Sequence, residues 1–288
     1  MRSKKKILVA AVSVALVLAC LICYVLIANK ALGLTEYTVT SECVPAAFDG
    51  FRIAQVSDLH NTELGENHEK TVAVLRKAAP DIIVITGDMI DSRRTDVQTA
   101  LDFAERAVEI APCYYVAGNH ESRLGEYADL KRGLTELGVT VLENETVSIE
   151  IGGESITLIG IKDPAFYSDG FFTYDENVVS SRLDVLTEDI EGYTVLLSHR
   201  PELFDIYAEY GVDLVFSGHA HGGQFRLPLV GGLVAPDQGL FPKYDAGVFV
   251  SGRTRMVVSR GVGNSIIPVR VNNNPEVVLV ELSVGQGM

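Results

Sequence analysis

The longest apolar run in the chain is Ile7–Ala28, which contains no charged residue. As a helix rising about 1.5 Å per residue it would be about 33 Å long, enough to cross a hydrocarbon core of about 30 Å. Arg2 and Lys4–Lys6 precede the run and only Lys30 follows it closely, so the N-terminus should stay in the cytoplasm. The pattern predicts a single-pass anchor of the cell membrane, with the rest of the chain extracytoplasmic.

Two other interpretations of this segment stay open. A cleaved signal peptide has an apolar region of roughly 7–15 residues, shorter than this run. A lipoprotein signal would use Val17–Cys20 with lipid on Cys20, but Leu21–Ala28 stays apolar where a mature lipoprotein normally becomes polar. We therefore favour an uncleaved anchor and expect a cytoplasmic segment at 1–6, a transmembrane helix at 7–28, a tether at 29–35 and one domain at 36–288. The tether reaches at most roughly 25 Å, which keeps the domain close to the bilayer.

Beyond the tether, short apolar runs alternate with segments of helical period. A continuous apolar run such as Ile82–Thr86 is typical of a strand covered on both faces, and apolar residues three or four positions apart, as in Val97–Val108, are typical of a helix. After a first strand at Glu36–Ser41, strands and helices alternate at Phe51–Ser57, Asn67–Ala79, Ile82–Thr86, Val97–Val108, Tyr114–Ala117 and Tyr127–Leu137. This order indicates parallel strands joined by right-handed crossovers.

The pattern changes after residue 137. Alternating residues on both sides of Gly152 and Gly153 predict a hairpin of Thr146–Ile151 and Ser155–Ile161. Later helices are predicted at Val178–Asp189 and Glu202–Tyr210, and later strands at Tyr193–Ser198, Leu214–Ser217, Met256–Ser259 and Glu276–Leu282. A glycine- and proline-rich loop of roughly 25 residues, Gly222–Gly247, directly follows His221, and this position favours a functional loop. The elements together predict the α/β class.

Composition excludes one class of partner. The chain is 47% hydrophobic, enough for a buried core, and its net charge is −14. Residues 1–30 hold five of the 24 basic residues and no acidic one, so residues 31–288 hold 19 basic against 38 acidic side chains. An acidic domain without a basic stripe binds nucleic acid poorly, so no nucleic-acid partner is expected. It should also stand off an anionic membrane surface.

Four cysteines are too few for a disulfide scaffold. Cys20 and Cys23 lie within the apolar run, where they serve as small apolar side chains. A bridge between Cys43 and Cys113 stays open, but Cys113 lies in a predicted core strand, and we expect it to be a buried free thiol.

Five apolar stretches of the chain end in Asp, Asn or His. They are Phe51–His60, Asp81–Asp88, Cys113–His120, Tyr193–His199 and Leu214–His221. Ligands of α/β sheets gather at the carboxyl ends of strands. Five strands ending on one side of a sheet would bring eight side chains into one pocket: Asp58, His60, Asp88, Asn119, His120, His199, His219 and His221.

The residue types in this pocket are metal ligands. Asp58 and His60, like His219 and His221, are two positions apart and share a face of an extended strand end. Asp88 carries two oxygens and can bridge two cations, while Asn119 and His199 add an oxygen and a nitrogen. These seven candidate ligands exceed the needs of one zinc or iron site. They fit two divalent or trivalent ions about 3.5–4 Å apart that share a carboxylate, and a set without thiolate suits Mn, Fe or Zn.

Two bridged cations serve one kind of reaction well. They make hydroxide available near neutral pH and neutralise phosphoryl oxygens during in-line attack. The constellation therefore predicts metal-dependent hydrolysis of a phosphoester by a dinuclear site.

The five blocks resemble the signature of the calcineurin-like metallophosphoesterases. They are Asp58-Leu59-His60, Gly87-Asp88, Gly118-Asn119-His120-Glu121, His199 and Gly218-His219-Ala220-His221, in that order. The tail, with Gly222-Gly223-Gln224, Pro242-Lys243-Tyr244 and Ser259–Asn264, is similar to that of small bacterial membrane-associated phosphoesterases.

This resemblance implies a fold and a role for each residue. The fold is a four-layer αββα sandwich of two mixed sheets with the metals at its strand ends. By the resemblance, Asp58, His60, Asp88 and His221 hold one metal, and Asp88, Asn119, His199 and His219 hold the other. His120 then binds no metal and faces the leaving group as the catalytic residue.

Some residues near these blocks depart from the family pattern or lie outside it. Asn61-Thr62 replaces the glycine of the phosphoprotein-phosphatase branch, and Asp91-Ser92-Arg93 matches that branch's Asp-Arg-Gly only in part, so no phosphoprotein substrate is assigned. Gln224 is a candidate substrate contact, as is Asn119, although glycine neighbours also fit a structural loop. We expect His68 to be solvent-exposed and Arg93 and Arg94 to be a solvated pair.

The favoured interpretation is a membrane-anchored dimetal phosphoesterase that acts outside the cytoplasm on a phosphomonoester or phosphodiester. One alternative is a metal-binding sensor or scaffold without turnover, which would have no reason to keep both the ligands and His120. Another, suggested by the short tether, is a hydrolase of lipid-linked or envelope phosphodiesters. The physiological substrate, the metal identity and the oligomeric state stay open.

Overall fold

Two mixed β-sheets follow an N-terminal helix in the computed structural model, which describes residues 2–168, 174–264 and 266–285. Met1 of the predicted cytoplasmic segment and the last three residues of the predicted domain lie outside this part. The α-helices are α1 Arg2–Ala28, α2 Glu69–Ala78, α3 Val97–Val108, α4 Tyr127–Glu136, α5 Glu176–Thr187 and α6 Phe204–Glu209.

The strands are shorter than the helices and follow the predicted apolar runs. In chain order they are β1 Gly33–Ser41, β2 Arg52–Val56, β3 Ile82–Thr86, β4 Cys113–Val116, β5 Thr140–Val141, β6 Glu145–Ile151, β7 Glu154–Gly160, β8 Tyr193–Leu197, β9 Leu214–Ser217, β10 Arg226–Leu227, β11 Gly231–Gly232, β12 Val234–Ala235, β13 Gly239–Leu240, β14 Gly247–Ser251, β15 Thr254–Val258 and β16 Glu276–Val284.

Each main sheet has six strands. The first has the order β1-β16-β2-β3-β4-β5, in which β2 to β5 run parallel and β16 is antiparallel to β2. The second has the order β14-β15-β9-β8-β7-β6, in which β15, β9, β8 and β7 run parallel. The predicted α/β class and the parallel β2–β4 crossovers are therefore confirmed.

Side-chain alternation divides the strand residues between three apolar clusters. In β3, Ile82 and Val84 pack with residues of the second sheet, while Ile83 and Ile85 pack with the helices α2 to α4. In the second sheet, Val195 faces the first sheet and Leu196 packs in a third cluster with α5 and α6. This period of two explains why buried strands such as β3 are apolar at every position.

The start of α3 and the end of α2 follow local sequence signals. The Asp96 carboxylate accepts a hydrogen bond from the Thr99 amide at 3.2 Å and caps α3. Helix α2 ends at Ala78, and the next residue, Ala79, has a left-handed conformation with φ of 43° before Pro80. Both ends agree with the predicted boundaries within two residues.

Strand β1 begins three residues before its predicted start at Glu36. Strand β1 begins at Gly33, because the Gly33 amide donates to the Pro275 carbonyl at 2.9 Å and β1 then pairs in parallel with β16. Only residues 29–32 separate α1 from the sheet. Large apolar side chains of α1, such as Leu16, Leu21 and Ile27, are exposed, and its segment Lys4–Ala28 is long and apolar enough to cross a membrane.

Two further predictions are corrected by tertiary contacts. His68 is buried rather than exposed, because its Nε2 atom lies 2.9 Å from the Thr99 carbonyl oxygen and its ring packs edge-on against Phe103. The long loop Gly222–Gly247 is not irregular throughout, since it contains the small hairpins β10–β11 and β12–β13. Cys113 is a buried free thiol as predicted, and Cys43 is an exposed one.

Candidate metal centre

The two sheets meet at the carboxyl ends of five strands. The five do not share one sheet as the strand-end pattern predicted, since β2, β3 and β4 belong to the first sheet and β8 and β9 to the second. The Gln55 amide joins the two edges by donating to Thr86 Oγ1 and to the Ser217 carbonyl, both at 2.9 Å. Residues that follow these strands are thereby brought to one place.

The structure brings all eight predicted pocket residues together. Every one of them is buried, with at most 6% of its surface exposed: Asp58, His60, Asp88, Asn119, His120, His199, His219 and His221. Buried acids and imidazoles at this density are costly unless they pair with one another or with a cation.

One cluster consists of Asp58, His60 and His221. The Nε2 atoms of His60 and His221 face each other at 3.1 Å, and His221 Nε2 lies 3.4 Å from Asp58 Oδ1. Their ligand atoms are close enough to bind one ion. Burial lowers the pKa of His60 to about 3 and that of His221 well below its ordinary value, so both rings are neutral and offer a lone pair.

The second cluster consists of Asp88, His199 and His219, with Asn119 beside it. His199 Nε2 lies 3.3 Å from Asp88 Oδ2 and 3.2 Å from Asn119 Oδ1. The other ring nitrogen, Nδ1, lies 2.7 Å from the Thr86 carbonyl oxygen, which can only accept, so Nδ1 carries a proton. This contact aims Nε2 at the cluster, as the hydrogen-bond partner behind a metal-binding histidine does.

Asp88 connects the two clusters. Its Oδ2 atom lies 3.6 Å from His60 Nε2 as well as 3.3 Å from His199 Nε2. Burial raises the pKa of a carboxyl group, but the charges of His199 and His120 lower the pKa of Asp88 well below its ordinary value. Burial lowers the pKa of an imidazole, but the charge of Asp88 raises that of His199 to about 10. A protonated His199 thus balances Asp88, a task that a cation would also perform.

The donor set fits two metal ions. The convergent atoms are imidazole nitrogens and carboxylate or amide oxygens without thiolate, which suits Mn, Fe or Zn rather than a structural zinc. The opposed Nε2 atoms of His60 and His221 are 3.1 Å apart, a separation at which they can share a proton, and their ligand atoms together with those of Asp58 are close enough to bind an ion.

The backbone at this site is strained. Five of the candidate ligands have a positive φ between 46° and 64°: Asp58, His60, Asp88, His219 and His221. A residue with a side chain in such a conformation costs of order 1–3 kcal/mol, and such strain clusters at functional sites. No sequence pattern indicated these conformations.

Glycines before two of the candidate ligands have a steric cause. A Cβ atom on Gly118 would lie 2.3 Å from Asp88 Oδ1, and one on Gly218 would lie 2.4 Å from Asp58 Oδ2. Both distances are far below van der Waals contact. The blocks that begin Gly118-Asn119 and Gly218-His219 therefore need glycine so that the neighbouring loops can approach.

Glu121 connects the loops that contain Asp88 and Asn119 through hydrogen bonds to their backbone amides. Its buried carboxylate accepts hydrogen bonds from the amides of Asp88 at 2.9 Å, Gly118 at 2.8 Å and Ile90 at 3.2 Å. Burial and the charge of Asp88 raise the pKa of Glu121 to about 7, although these amide bonds oppose the rise. Glu121 belongs to one of the five sequence blocks, but no role was predicted for it.

His120 lies against the first cluster. Its Nδ1 atom accepts a hydrogen bond from the Ser92 amide at 3.1 Å, so the neutral ring carries its proton on Nε2. The ligand atoms of His60, Asp88 and His120 are also close enough to share an ion, an arrangement that the family resemblance did not imply. Burial lowers the pKa of His120.

A cavity of about 320 Å³ opens onto both clusters. Its polar wall includes residues that the sequence analysis missed, namely Arg123, Tyr174, Arg200 and Asp237. Arg200 is buried, pairs with Asp163 through Nε at 2.8 Å, and reaches Asp237 Oδ2 with Nη1 at 2.7 Å. The one sequence signal for a role of Arg200 was its position directly after the candidate ligand His199.

Gln224 and Arg93 have partners within the fold. The Gln224 amide nitrogen donates to the carbonyls of Ile267 at 2.8 Å and Val269 at 2.7 Å, although the residue also lines the cavity. Arg93 pairs with Asp91 at 2.7 Å and its side chain is 44% exposed, while Arg94 is exposed, as predicted.

Sequence comparison identifies the family. The profile described as calcineurin-like phosphoesterase matches residues 51–223, which contain all seven candidate ligands. The chain belongs to the calcineurin-like metallophosphoesterases. The resemblance found in the five blocks is therefore confirmed, and the chain is a metallophosphoesterase by family.

Individual relatives of this metallophosphoesterase extend the likeness beyond the profile. The uncharacterized metallophosphoesterase YkuE of Bacillus subtilis is 30% identical over 253 residues, covering 86% of this chain and 84% of that one. A transmembrane protein with metallophosphoesterase domain from Danio rerio is 25% identical over 86% of this chain and 56% of its own length. The solved structure of TT1561 from Thermus thermophilus has the same fold, with a TM-score of 0.52 and 15% identity over 74% of this chain and 90% of that one.

Proposed function

We propose that this metallophosphoesterase hydrolyses phosphomonoesters or phosphodiesters with two metal ions, Mn, Fe or Zn, bound at the two clusters. The observation that carries the proposal is the place of Asp88 Oδ2 between His60 Nε2 and His199 Nε2. A carboxylate shared by two groups of nitrogen and oxygen ligands is the arrangement that a dinuclear site requires.

Each ion has its own ligands in this proposal. Asp58, His60 and His221 would hold one ion, Asn119, His199 and His219 would hold the other, and Asp88 would be shared by both. Ions of this kind lower the pKa of water and neutralise phosphoryl charge, which is the chemistry they supply when bound.

The protein positions the leaving group through His120. The Ser92 amide donates to Nδ1, so the neutral ring carries its proton on Nε2, and His120 lines the cavity. Nε2 can then donate to the oxygen that leaves phosphorus. Asn119 lines the same cavity and could also contact the substrate. Gln224 is a weaker candidate, because its Nε2 is already bonded to two carbonyls and its Oε1, an acceptor, would repel a phosphoryl oxygen.

We also infer the arrangement of the domain relative to a membrane. The order αββα is supported by the three apolar clusters, which lie between α2–α4 and the first sheet, between the two sheets, and between the second sheet and α5–α6. Helix α1 would anchor the chain, with residues 1–6 cytoplasmic and the domain extracytoplasmic. Protease added to intact spheroplasts should digest the domain, whereas full protection would contradict this topology.

The function is tested on the full chain purified in detergent without chelator. We expect bound transition metal, loss of phosphoester hydrolysis on chelation, and recovery on adding Mn, Zn or Fe. A chain that binds metal but hydrolyses neither monoesters nor diesters would be the sensor or scaffold. A chain that binds no metal would contradict the dinuclear site itself.

A further inference from the structure

The end of α1 is bonded directly to a loop of the catalytic domain. The Asn29 side chain donates to the Arg270 carbonyl at 2.8 Å and accepts from the Arg270 amide at 2.8 Å. One helical turn earlier, the Tyr24 hydroxyl donates to Asn272 Oδ1 at 3.2 Å. With only residues 29–32 between α1 and β1, these bonds fix the loop at the level where the proposed anchor leaves the bilayer.

The same loop forms a wall of the catalytic cavity. Ile266 and Ile267 line the cavity together with Val234, facing Asp88 and His219. Ile266 is four residues from Arg270 and so at most about 14 Å from it along the chain. The polar interface of a bilayer adds roughly 5–8 Å on each side of the hydrocarbon core. The cavity mouth is therefore within reach of the lipid headgroups.

Large apolar side chains are exposed on the segments around this mouth. Ile266 is 71% exposed, and Leu240 and Phe241, next to the cavity-lining strand β12, are 74% and 64% exposed. The hairpin β10–β11 begins beside Val271, where the Arg226 amide donates to the Val271 carbonyl, and its turn contains the fully exposed Leu229. We call Leu229, Leu240, Phe241 and Ile266 the apolar rim. Apolar groups gathered at one site mark an interaction surface.

Local charge distinguishes this face from the rest of the domain. Residues 260–273 contain no acidic residue, although the chain as a whole has a net charge of −14. Of the two arginines in this segment, Arg270 is buried and Arg260 pairs with Glu276, so the segment is close to neutral rather than basic. The acidic surface elsewhere is repelled by anionic lipids, whereas this segment is not. The domain therefore presents to the membrane the face that can approach it.

We propose that the apolar rim contacts the bilayer and that the substrate is a phosphoester lipid, whose phosphate enters the metal centre while its acyl chains stay in the membrane. This inference rests on the proposed phosphoesterase function and on α1 crossing the membrane. Hydrolysis would form a bond from phosphorus to the oxygen of water and break the bond from phosphorus to the leaving alcohol. One proton of water ends on that alcohol and the other on the phosphate product.

Contact of the rim with lipid can be measured without any activity. The chain contains no tryptophan, so Phe241→Trp introduces a single fluorescent reporter. The matched control is Val185→Trp, since Val185 on α5 is also 71% exposed and α5 does not line the cavity. In phosphatidylcholine vesicles containing brominated acyl chains, the reporter at 241 should be quenched and that at 185 should not. Equal quenching at both positions, or none at 241, would overturn the bilayer contact.

Substrate class is measured with the full chain in phosphatidylcholine vesicles that contain a minor fraction of phosphatidic acid or phosphatidylglycerol. Soluble nitrophenyl phosphate and bis(nitrophenyl) phosphate serve as references. We expect Phe241→Glu and Leu240→Glu each to lower the ratio of lipid to soluble hydrolysis about tenfold, and Val185→Glu to leave it unchanged.

This experiment distinguishes failure of the lipid-substrate proposal from failure of the proposed phosphoesterase function. Hydrolysis of soluble esters without hydrolysis of either lipid, or equal ratios in rim and control variants, would overturn the lipid substrate and leave the phosphoesterase intact. Absence of hydrolysis of every ester by the metal-loaded chain would contradict the proposed function itself.

Discussion

The Nε2 atom of His219 lies 2.9 Å from Oδ2 of Asp237, although the two residues are separated by 18 positions. The same oxygen lies 2.7 Å from Arg200 Nη1. Burial raises the pKa of a carboxyl group, but the hydrogen bond and charge of His219, together with Arg200, lower that of Asp237 to about 2. A carboxylate charged at neutral pH thus stands beside a candidate metal ligand, on the long loop that directly follows the last ligand block.

Asp237→Asn should weaken the second cluster. The change keeps the size of the side chain but removes the charge beside His219, and loss of such a supporting partner typically costs about 10–100-fold in metal affinity or activity. Metal affinity is measured by competition with a chelator of known strength. Asp205→Asn is the control, because it removes the same charge from an exposed carboxylate that bonds Tyr244 outside the cavity. Equal affinity losses in both variants would show an effect of net charge only.

Asp88→Asn should lower the content of both metals. Its amide nitrogen cannot replace an oxygen ligand, and Asp88 Oδ2 is the atom close to both His60 and His199. His60→Ala should chiefly remove one ion, since His60 belongs to the first cluster. The measurement is the metal-to-protein ratio by mass spectrometry of the purified variants. An Asp88→Asn variant that retains one full equivalent would place Asp88 in a single site.

His120→Ala should keep near-normal metal content but lose most activity on alkyl phosphoesters. Proton donation to a departing oxygen is worth about 10²–10⁴-fold. A nitrophenyl ester should suffer less, because phenolate leaves readily without a proton. The measurement is the rate of hydrolysis of both substrates by the variant, with its metal content determined. His68→Ala is the control, as another buried histidine, outside the eight-residue pocket, whose loss should affect both substrates equally. If His120→Ala also affects both equally, His120 is not the acid.

Sequence periodicity predicted what depends on neighbouring residues. The apolar runs gave β2, β3, β4, β8 and β9 within two residues. His219 and His221 do not share a face of an extended strand end as predicted, because β9 ends at Ser217 and both residues have a positive φ. Sequence periodicity could not predict contacts between segments that are distant in the chain. His68 is buried by Thr99 and Phe103 of α3, and Asp237 reaches His219 across a loop whose path depends on two short hairpins.

The start of β1 and the strained ligands show the same limit. Gly33–Thr35 has no apolar alternation of its own and is a strand because β16, more than 240 residues later, pairs with it. Asp58 and Asp88 have positive φ values and lie close to Gly218 and Gly118, which belong to distant segments of the chain. Neither the early start of β1 nor the positive φ values can be predicted from the local sequence of these segments.

A final prediction concerns Glu143, which lies away from the metal centre. Its carboxylate accepts hydrogen bonds from the Tyr127 hydroxyl at 2.8 Å, from Lys162 Nζ at 2.6 Å and from Lys131. Burial acts to raise the pKa of Glu143, but these three donors lower it from 4.5 to about 2. A depressed pKa means that the folded state favours the ionised form, so this contribution to stability is complete above about pH 4.5 and is lost as the pH falls to about 2.

Glu143→Gln should therefore destabilise the protein at neutral pH and not in acid. The expected loss at pH 7 is about 1–2 kcal/mol, below the full linkage value because the carboxylate is partly exposed to solvent. The free energy of unfolding is measured in urea by tyrosine fluorescence at a series of pH values, for wild type and variant in the same detergent. The difference should narrow below about pH 4.5, since titration of all other groups is common to both proteins. Glu145→Gln on β6 makes the same substitution at an exposed neighbour and should give only a small difference in stability. A pH-independent difference for Glu143→Gln would show that its ionised carboxylate adds no stability.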